Sequence, residues 1–148
     1  MTLNERSEII ERCLDIVARA SSSQEDLERA MNELMALPYI INSYSFSSFF
    51  WCITAHKNCP ITAMEYIVYN YPPPAYLKQK ENIARNPSAP PQILEKLLEV
   101  GDYHIDLAIA LNPSTSRECL AKLLNSKDPD IVEEALNHPS VKNLVSFF

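Results

Sequence analysis

A short motif recurs three times at a constant interval, and it limits the folds open to this chain more than any other feature. Asn86-Pro87-Ser88, Asn112-Pro113-Ser114 and His138-Pro139-Ser140 follow one another at intervals of 26 residues. A fixed period of about 20 to 50 residues is typical of structural units that stack on their neighbours. The chain is therefore expected to be an array of stacked units.

Each unit is predicted to contain two short helices separated by the proline. Proline has no N–H to donate and pushes the preceding residue out of the α region, so the chain must turn there. Asp102 and Asp128 are placed as N-caps of the first helices, and the lone glycine, Gly101, as a left-handed C-cap. The second helices carry the apolar stripe of one buried face: Ile93, Leu94, Leu97 and Leu98 in one copy, and Cys119, Leu120, Leu123 and Leu124 in the next.

An earlier and weaker copy of the unit extends from Trp51 to Tyr71. Here Lys57-Asn58-Cys59-Pro60 takes the Asn-Pro position, at a spacing of 28 from the next copy. The insert Tyr71-Pro72-Pro73-Pro74 accounts for the extra length. Because helices this short are not stable alone in water, the stability of every copy must come from stacking on its neighbours.

The segments 83–97 and 108–115 resemble the leucine-rich repeat variant, a bacterial repeat with an alanine before an Asn-Pro turn and leucines after it. The resemblance implies an all-α, right-handed superhelical solenoid of short helix pairs. It covers residues 51–148 as degenerate copies, whose period of about 26 residues is longer than that of the family. A more ordinary solenoid of the HEAT or armadillo type remains open.

Residues 1–50 show no repeat and are expected to form an N-terminal helical cap on a single domain that covers 1–148. An amphipathic helix is predicted from Leu3 to Ala20. A second helix is predicted after Ser22, which stands in capping-box spacing with Glu25. Since solenoids need a polar terminal unit to shield the first stacked repeat, these charged helices suit that role.

Composition excludes several classes of function. The formal charge of −6 repels phosphate backbones and anionic lipid surfaces, so neither nucleic acid nor membrane is an expected partner. The single glycine argues against the glycine-rich loops of nucleotide enzymes. The charged residues near the start and the lack of a long apolar run predict a cytoplasmic protein with four reduced cysteines.

Cys52, His56 and Cys59 form the only metal-like pattern, because two ligands four residues apart share a helix face and the third follows in the turn. No fourth ligand is near in sequence. In the alignment of copies, His56 takes the same position as Ala84 and Ala110, which are expected to face inward. These three residues are therefore weak candidates only, and no metal, cofactor or catalytic residue is predicted.

The stretch 38–76 is nearly free of charge, with only Lys57 and Glu65, yet it holds 10 of the 13 aromatic residues. One interpretation is that its apolar residues fill the junction between cap and repeats: Phe46, Phe49, Phe50, Ile53, Met64, Ile67 and Val68. The other is that Tyr69, Tyr71 and Tyr76, which flank the proline insert, form an exposed adhesive patch for another protein or a second copy of the chain.

The sequence thus predicts a non-enzymatic repeat scaffold that binds another protein through a curved, partly aromatic surface. Helix-pair solenoids can also cradle duplex DNA, so a nucleic-acid-acting or nucleic-acid-binding protein is the alternative. That alternative needs a stripe of Lys and Arg on one face, which the acidic balance opposes.

Overall fold

The computed structural model describes residues 1–38, 40 and 43–145, the last three of these by their backbone alone. Within these ranges the chain forms ten α-helices and no strand, which confirms the all-α prediction. The helices are α1 Leu3–Ala18, α2 Gln24–Met35, α3 Tyr44–Ala55, α4 Ile61–Asn70, α5 Leu77–Arg85, α6 Pro91–Leu98, α7 Tyr103–Leu111, α8 Arg117–Leu123, α9 Pro129–Asn137 and α10 Pro139–Val145.

The helices pack in two layers that follow chain order. The odd-numbered helices contact one another in succession from α1 to α9, and the even-numbered helices do the same from α2 to α10. Each odd helix also packs against the even helix that follows it. All of the extensive contacts therefore join helices that are one or two elements apart along the chain, so burial is local throughout.

Helix starts follow the capping residues of the sequence. The Asp102 carboxylate accepts from the N–H groups of His104 and Ile105, as predicted, and Gly101 has a φ of +66°. Asp128 precedes Pro129 without a side-chain cap bond. The capping box of α2 is made by Ser23 and Asp26, one residue later than the sequence suggested.

The reason for that shift is the neighbouring serine. Ser22 is buried, and its Oγ donates to the carbonyl of Ile16 at 2.7 Å, so it ties the end of α1 to the turn instead of capping α2. Thr115 makes the same bond to the carbonyl of Ile109 at 2.6 Å. The turn after α1 and the turn after α7 are therefore built alike, although residues 1–50 show no repeat in sequence.

One residue at the end of every odd helix has the same backbone role. Each donates its N–H to the carbonyl three residues before it and accepts at its own carbonyl from the N–H three residues after it. We call these five residues the turn ladder: Arg19, His56, Asn86, Asn112 and His138. Their spacings along the chain are 37, 30, 26 and 26, and α3 crosses the expected boundary at residue 50.

The alignment that placed Asn58 at the Asn-Pro position was wrong, because the structure puts His56 there. The side chains explain why histidine can replace asparagine. His56 Nδ1 accepts from the N–H of Asn58 at 3.0 Å, just as Asn86 Oδ1 accepts from the N–H of Ser88 at 2.9 Å. Both residue types carry one acceptor atom and one donor atom on the same planar group.

The outer donors of the turn ladder reach back to the preceding turn. His56 Nε2 lies 3.0 Å from the carbonyl oxygen of Arg19, and Asn86 Nδ2 donates to that of His56 at 3.2 Å. Asn112 Nδ2 donates to the carbonyls of Asn86 and Ala84 at 2.8 and 2.6 Å, and His138 Nε2 lies 3.0 Å from that of Asn112. Since both imidazoles accept at Nδ1, their hydrogen is assigned to Nε2.

The core lies between the two layers. The seven apolar residues proposed to fill the junction, from Phe46 to Val68, are all buried, which confirms that part of the aromatic prediction. Phe50 stacks on Tyr66 with ring centroids 5.3 Å apart, and Phe46 lies 4.8 Å from Phe50. Tyr39 lies outside the described residues.

Candidate functional site

The three tyrosines predicted as one exposed patch occupy two different environments. The Tyr69 side chain is 55 % exposed, whereas Tyr71 and Tyr76 are half-buried and pack against the core. The Tyr71 ring lies 4.5 Å from that of Tyr76 and 5.9 Å from that of Tyr66. Burial raises the pKa of the Tyr71 hydroxyl above its ordinary value. Two of the three rings are therefore part of the junction packing.

A buried lysine closes the loop that carries the proline insert. Lys80 is 1 % exposed, and its Nζ donates to the carbonyls of Tyr71 at 2.6 Å and Ala75 at 2.8 Å. Burial lowers the pKa of this amine because it disfavours the charged form. The loop enters α5 through Tyr76, whose φ of +56° is unusual for a residue other than glycine. Lys80 thus joins the two ends of the proline insert through their carbonyls.

Two exposed aromatic residues lie on α3. Tyr44 is 88 % exposed and Trp51 is 51 % exposed. A depression of about 440 Å³ is lined by Trp51 together with Tyr44, Ser47, Ser48 and Gln79. A second one, of about 380 Å³, is lined by Trp51 together with Ala18, Ala20, Ala55 and His56. We call this surface the Trp51 face, and none of its described lining residues carries a formal charge.

Sequence reasoning missed the Trp51 face, although a signal for it was present. Counting back five residues from the turn ladder places Trp51 in register with Glu81, Leu107 and Glu133. Glu133 is exposed and Glu81 and Leu107 are half-buried, so this position faces outward. The correct register of His56 was needed to see that a tryptophan stands at a position where two of the other copies carry a glutamate and one a leucine.

The structure does not bring the weak metal candidates together. Both ring nitrogens of His56 make hydrogen bonds within the turn ladder, and Cys59 Sγ contacts the carbonyl of Pro60 at 3.6 Å. Cys52 lies half-buried on α3, where it lines both depressions beside Trp51. Across the described part of the chain, no three ligating side chains converge as a metal site requires.

Three of the four cysteines, Cys13, Cys59 and Cys119, are buried in the core. Burial raises the pKa of Cys59 to about 12 and that of Cys13 to about 11, and it also raises the pKa of Cys119. Because the thiolate is the nucleophilic form, none of these three is activated for attack at neutral pH.

Asp106 is the one carboxyl group with a buried oxygen that lacks a hydrogen-bond partner among the described residues. Asp106 lies six residues before Asn112, just as Phe50 lies six before His56 and Lys80 six before Asn86. A carboxyl group therefore stands at a position where those two copies have an aromatic ring and an amine. Burial, helped by the nearby charges of Asp102 and Asp128, raises its pKa to about 6.

We expect Asp106→Asn to stabilise the protein at neutral pH. An acid whose folded pKa lies above its unfolded value favours folding below the unfolded pKa of 3.8, and that contribution is lost as pH rises through about 6. Because the side chain is partly solvated, the gain near pH 7.5 is about 1 kcal/mol. Urea unfolding at about pH 4 and about pH 7.5 measures it. Glu133→Gln, an exposed change on α9, serves as control, and an equal gain from both variants would contradict the assignment.

Searches of family models, of curated proteins and of solved structures found no match to this sequence. A separate inspection of the described helices found none with both the length and the apolar character needed to cross a bilayer.

Proposed function

We propose that this chain is a non-enzymatic helical-repeat scaffold that binds another protein through the Trp51 face. In this proposal the five helix pairs form a right-handed superhelical solenoid of the leucine-rich repeat variant type. The successive contacts within each layer and the recurring turn ladder support stacking of equivalent units. The proposed contact surface moves from the predicted Tyr69, Tyr71 and Tyr76 to α3, because Tyr71 and Tyr76 are committed to packing.

The observation that carries this proposal is a half-exposed tryptophan at the centre of a surface without charge. Tryptophan and tyrosine dominate the energetics of protein interfaces, and charged residues are depleted at interface centres. Trp51 and Tyr44 supply two large rings, while serine and alanine side chains around them let a partner approach closely. A surface of this kind exposes apolar area that a partner would cover.

Nucleic acid is the less favoured occupant. Phosphate contacts need several free Lys or Arg side chains on one face. In the described residues many of the basic side chains already pair with carboxylates: Arg12, Arg19, Arg29, Lys78, Arg85 and Lys96. The Trp51 face itself contributes none, so a partner protein that meets it with an uncharged surface fits it better.

Trp51→Ser is expected to weaken partner binding by about 30-fold or more, because truncating a central interface tryptophan typically removes at least about 2 kcal/mol. The partner is recovered from the native host on the immobilised wild-type chain, and its affinity for each variant is then measured by calorimetry. Sedimentation of the isolated chain tests a second copy as the occupant.

Leu136→Ser on α9 is the matched control, since this side chain is 53 % exposed and lies far along the chain from α3. It should leave the affinity unchanged. Circular dichroism must show the same helix content in both variants. If Trp51→Ser binds as well as the control, the Trp51 face is not the contact surface.

A further inference from the structure

A second concave site lies beside the proline insert. It is a cleft of about 400 Å³, within the range of about 300 to 1,000 Å³ that small-molecule sites occupy. Its apolar walls come from α4, the insert and the end of α6: Val68, Pro72, Pro73, Leu97 and Val100. It shares no lining residue with the Trp51 face.

Three charged residues line this cleft, and they differ in whether an opposite charge pairs with them. Lys96 and Glu99 line its rim and form an ion pair with each other, so their charges largely cancel. Lys80 also lines the cleft but is buried, and no carboxylate of the described residues lies within ion-pair distance of its Nζ. An ammonium has three N–H donors, and Lys80 uses two on the carbonyls of Tyr71 and Ala75.

We propose that this cleft binds a ligand that joins an apolar body to one carboxylate, with the carboxylate on the remaining donor of Lys80. A buried cation without a counter-ion is stabilised most by an anion that carries its own apolar group. Binding of such a ligand pairs the charge, and its apolar group displaces water from the cleft.

Two sources present this chemistry: a medium-chain fatty acid and the C-terminus of an apolar peptide. We therefore test the full chain by calorimetry with octanoate against octan-1-ol, and with acetyl-leucyl-valine against its C-terminal amide. Each pair differs only in the anionic group. A charge-assisted hydrogen bond in a dry site predicts that the carboxylate member of at least one pair binds about tenfold or more tightly than its uncharged match.

Lys80→Met keeps the length of the side chain and removes the ammonium, so it should abolish the preference for the carboxylate. Lys78→Met changes an exposed lysine on the same helix, which pairs with Glu81, and should keep the preference. Equal binding of the members of both pairs to the wild-type chain, or no binding of any of the four, overturns the proposal. The comparison of the four ligands on the wild-type chain does not depend on whether Lys80→Met folds.

Preference in the fatty-acid pair alone, or in the peptide pair alone, supports the proposal and identifies the source of the ligand. A preference that persists in folded Lys80→Met overturns the role of this residue. Because the cleft and the Trp51 face are separate surfaces, the outcome here is independent of the Trp51→Ser experiment.

Discussion

Replacing Asn112 by aspartate should lower the free energy of unfolding by about 4 kcal/mol, although the two side chains have the same shape. Asn112 is 2 % exposed and donates from Nδ2 to the carbonyls of Ala84 and Asn86. The substitution removes both donors and places a carboxylate oxygen against two buried carbonyl oxygens. The carbonyl of Asn86 keeps its bond from the N–H of Ala89, but both side-chain bonds are lost at about 1 to 3 kcal/mol each, and the buried charge adds to that.

Asn125→Asp is the matched control for this prediction. Asn125 is exposed, and its Nδ2 donates to a single carbonyl, that of Ala121, within the same unit. Its replacement should change stability by less than about 0.5 kcal/mol. Chemical denaturation followed by circular dichroism measures both variants. Equal effects in the two would show that the turn ladder does not hold consecutive turns together.

Tyr71→Ser should destabilise the chain by about 3 kcal/mol, whereas Tyr69→Ser should change stability by less than about 0.5 kcal/mol. The Tyr71 ring packs against Phe46, Tyr66 and Tyr76, with centroids between 4.5 and 6.4 Å away. Removing a large aromatic ring from such a cluster leaves a cavity and loses the ring contacts. Tyr69 is more than half exposed and has little packing to lose.

Thermal and urea unfolding of the two serine variants decide between the two interpretations of the aromatic stretch. If both variants keep the stability of the wild-type chain, Tyr71 is not part of the core. If both variants lose the same amount of stability, Tyr69 contributes to the packing of the core as much as Tyr71 does. Only a large difference agrees with the division of the tyrosines between core and surface.

The local pattern of the sequence was sufficient to predict the helices around 83–125. The prolines after Asn86 and Asn112 end α5 and α7, and Asp102 caps α7, because each of these effects depends on backbone chemistry within a few residues. The burial of Ile93, Leu94 and Leu97 also followed from spacing alone. Helix periodicity fixes which face is apolar whatever lies opposite it.

The turn geometry that Arg19 shares with His56, Asn86, Asn112 and His138 was not visible in the same way. Arg19, His56 and Asn86 share a backbone role but not a side-chain type, and the intervals between them are unequal. Their relation is a set of hydrogen bonds that join carbonyls and side chains 26 to 37 residues apart. A search for recurring letters cannot detect a bond that two different side chains make equally well.

The sequence by itself determined where α7 begins, where α5 and α7 break and which face of α6 and α8 is apolar, because caps, prolines and periodicity act over a single turn of chain. The tertiary structure alone decided that His56 is a member of the turn ladder, that Lys80 is buried against two loop carbonyls, and that Trp51 faces outward while Phe50 beside it faces the core. Those outcomes depend on which surface of the neighbouring helix each side chain meets, and that neighbour is a separate element of the chain.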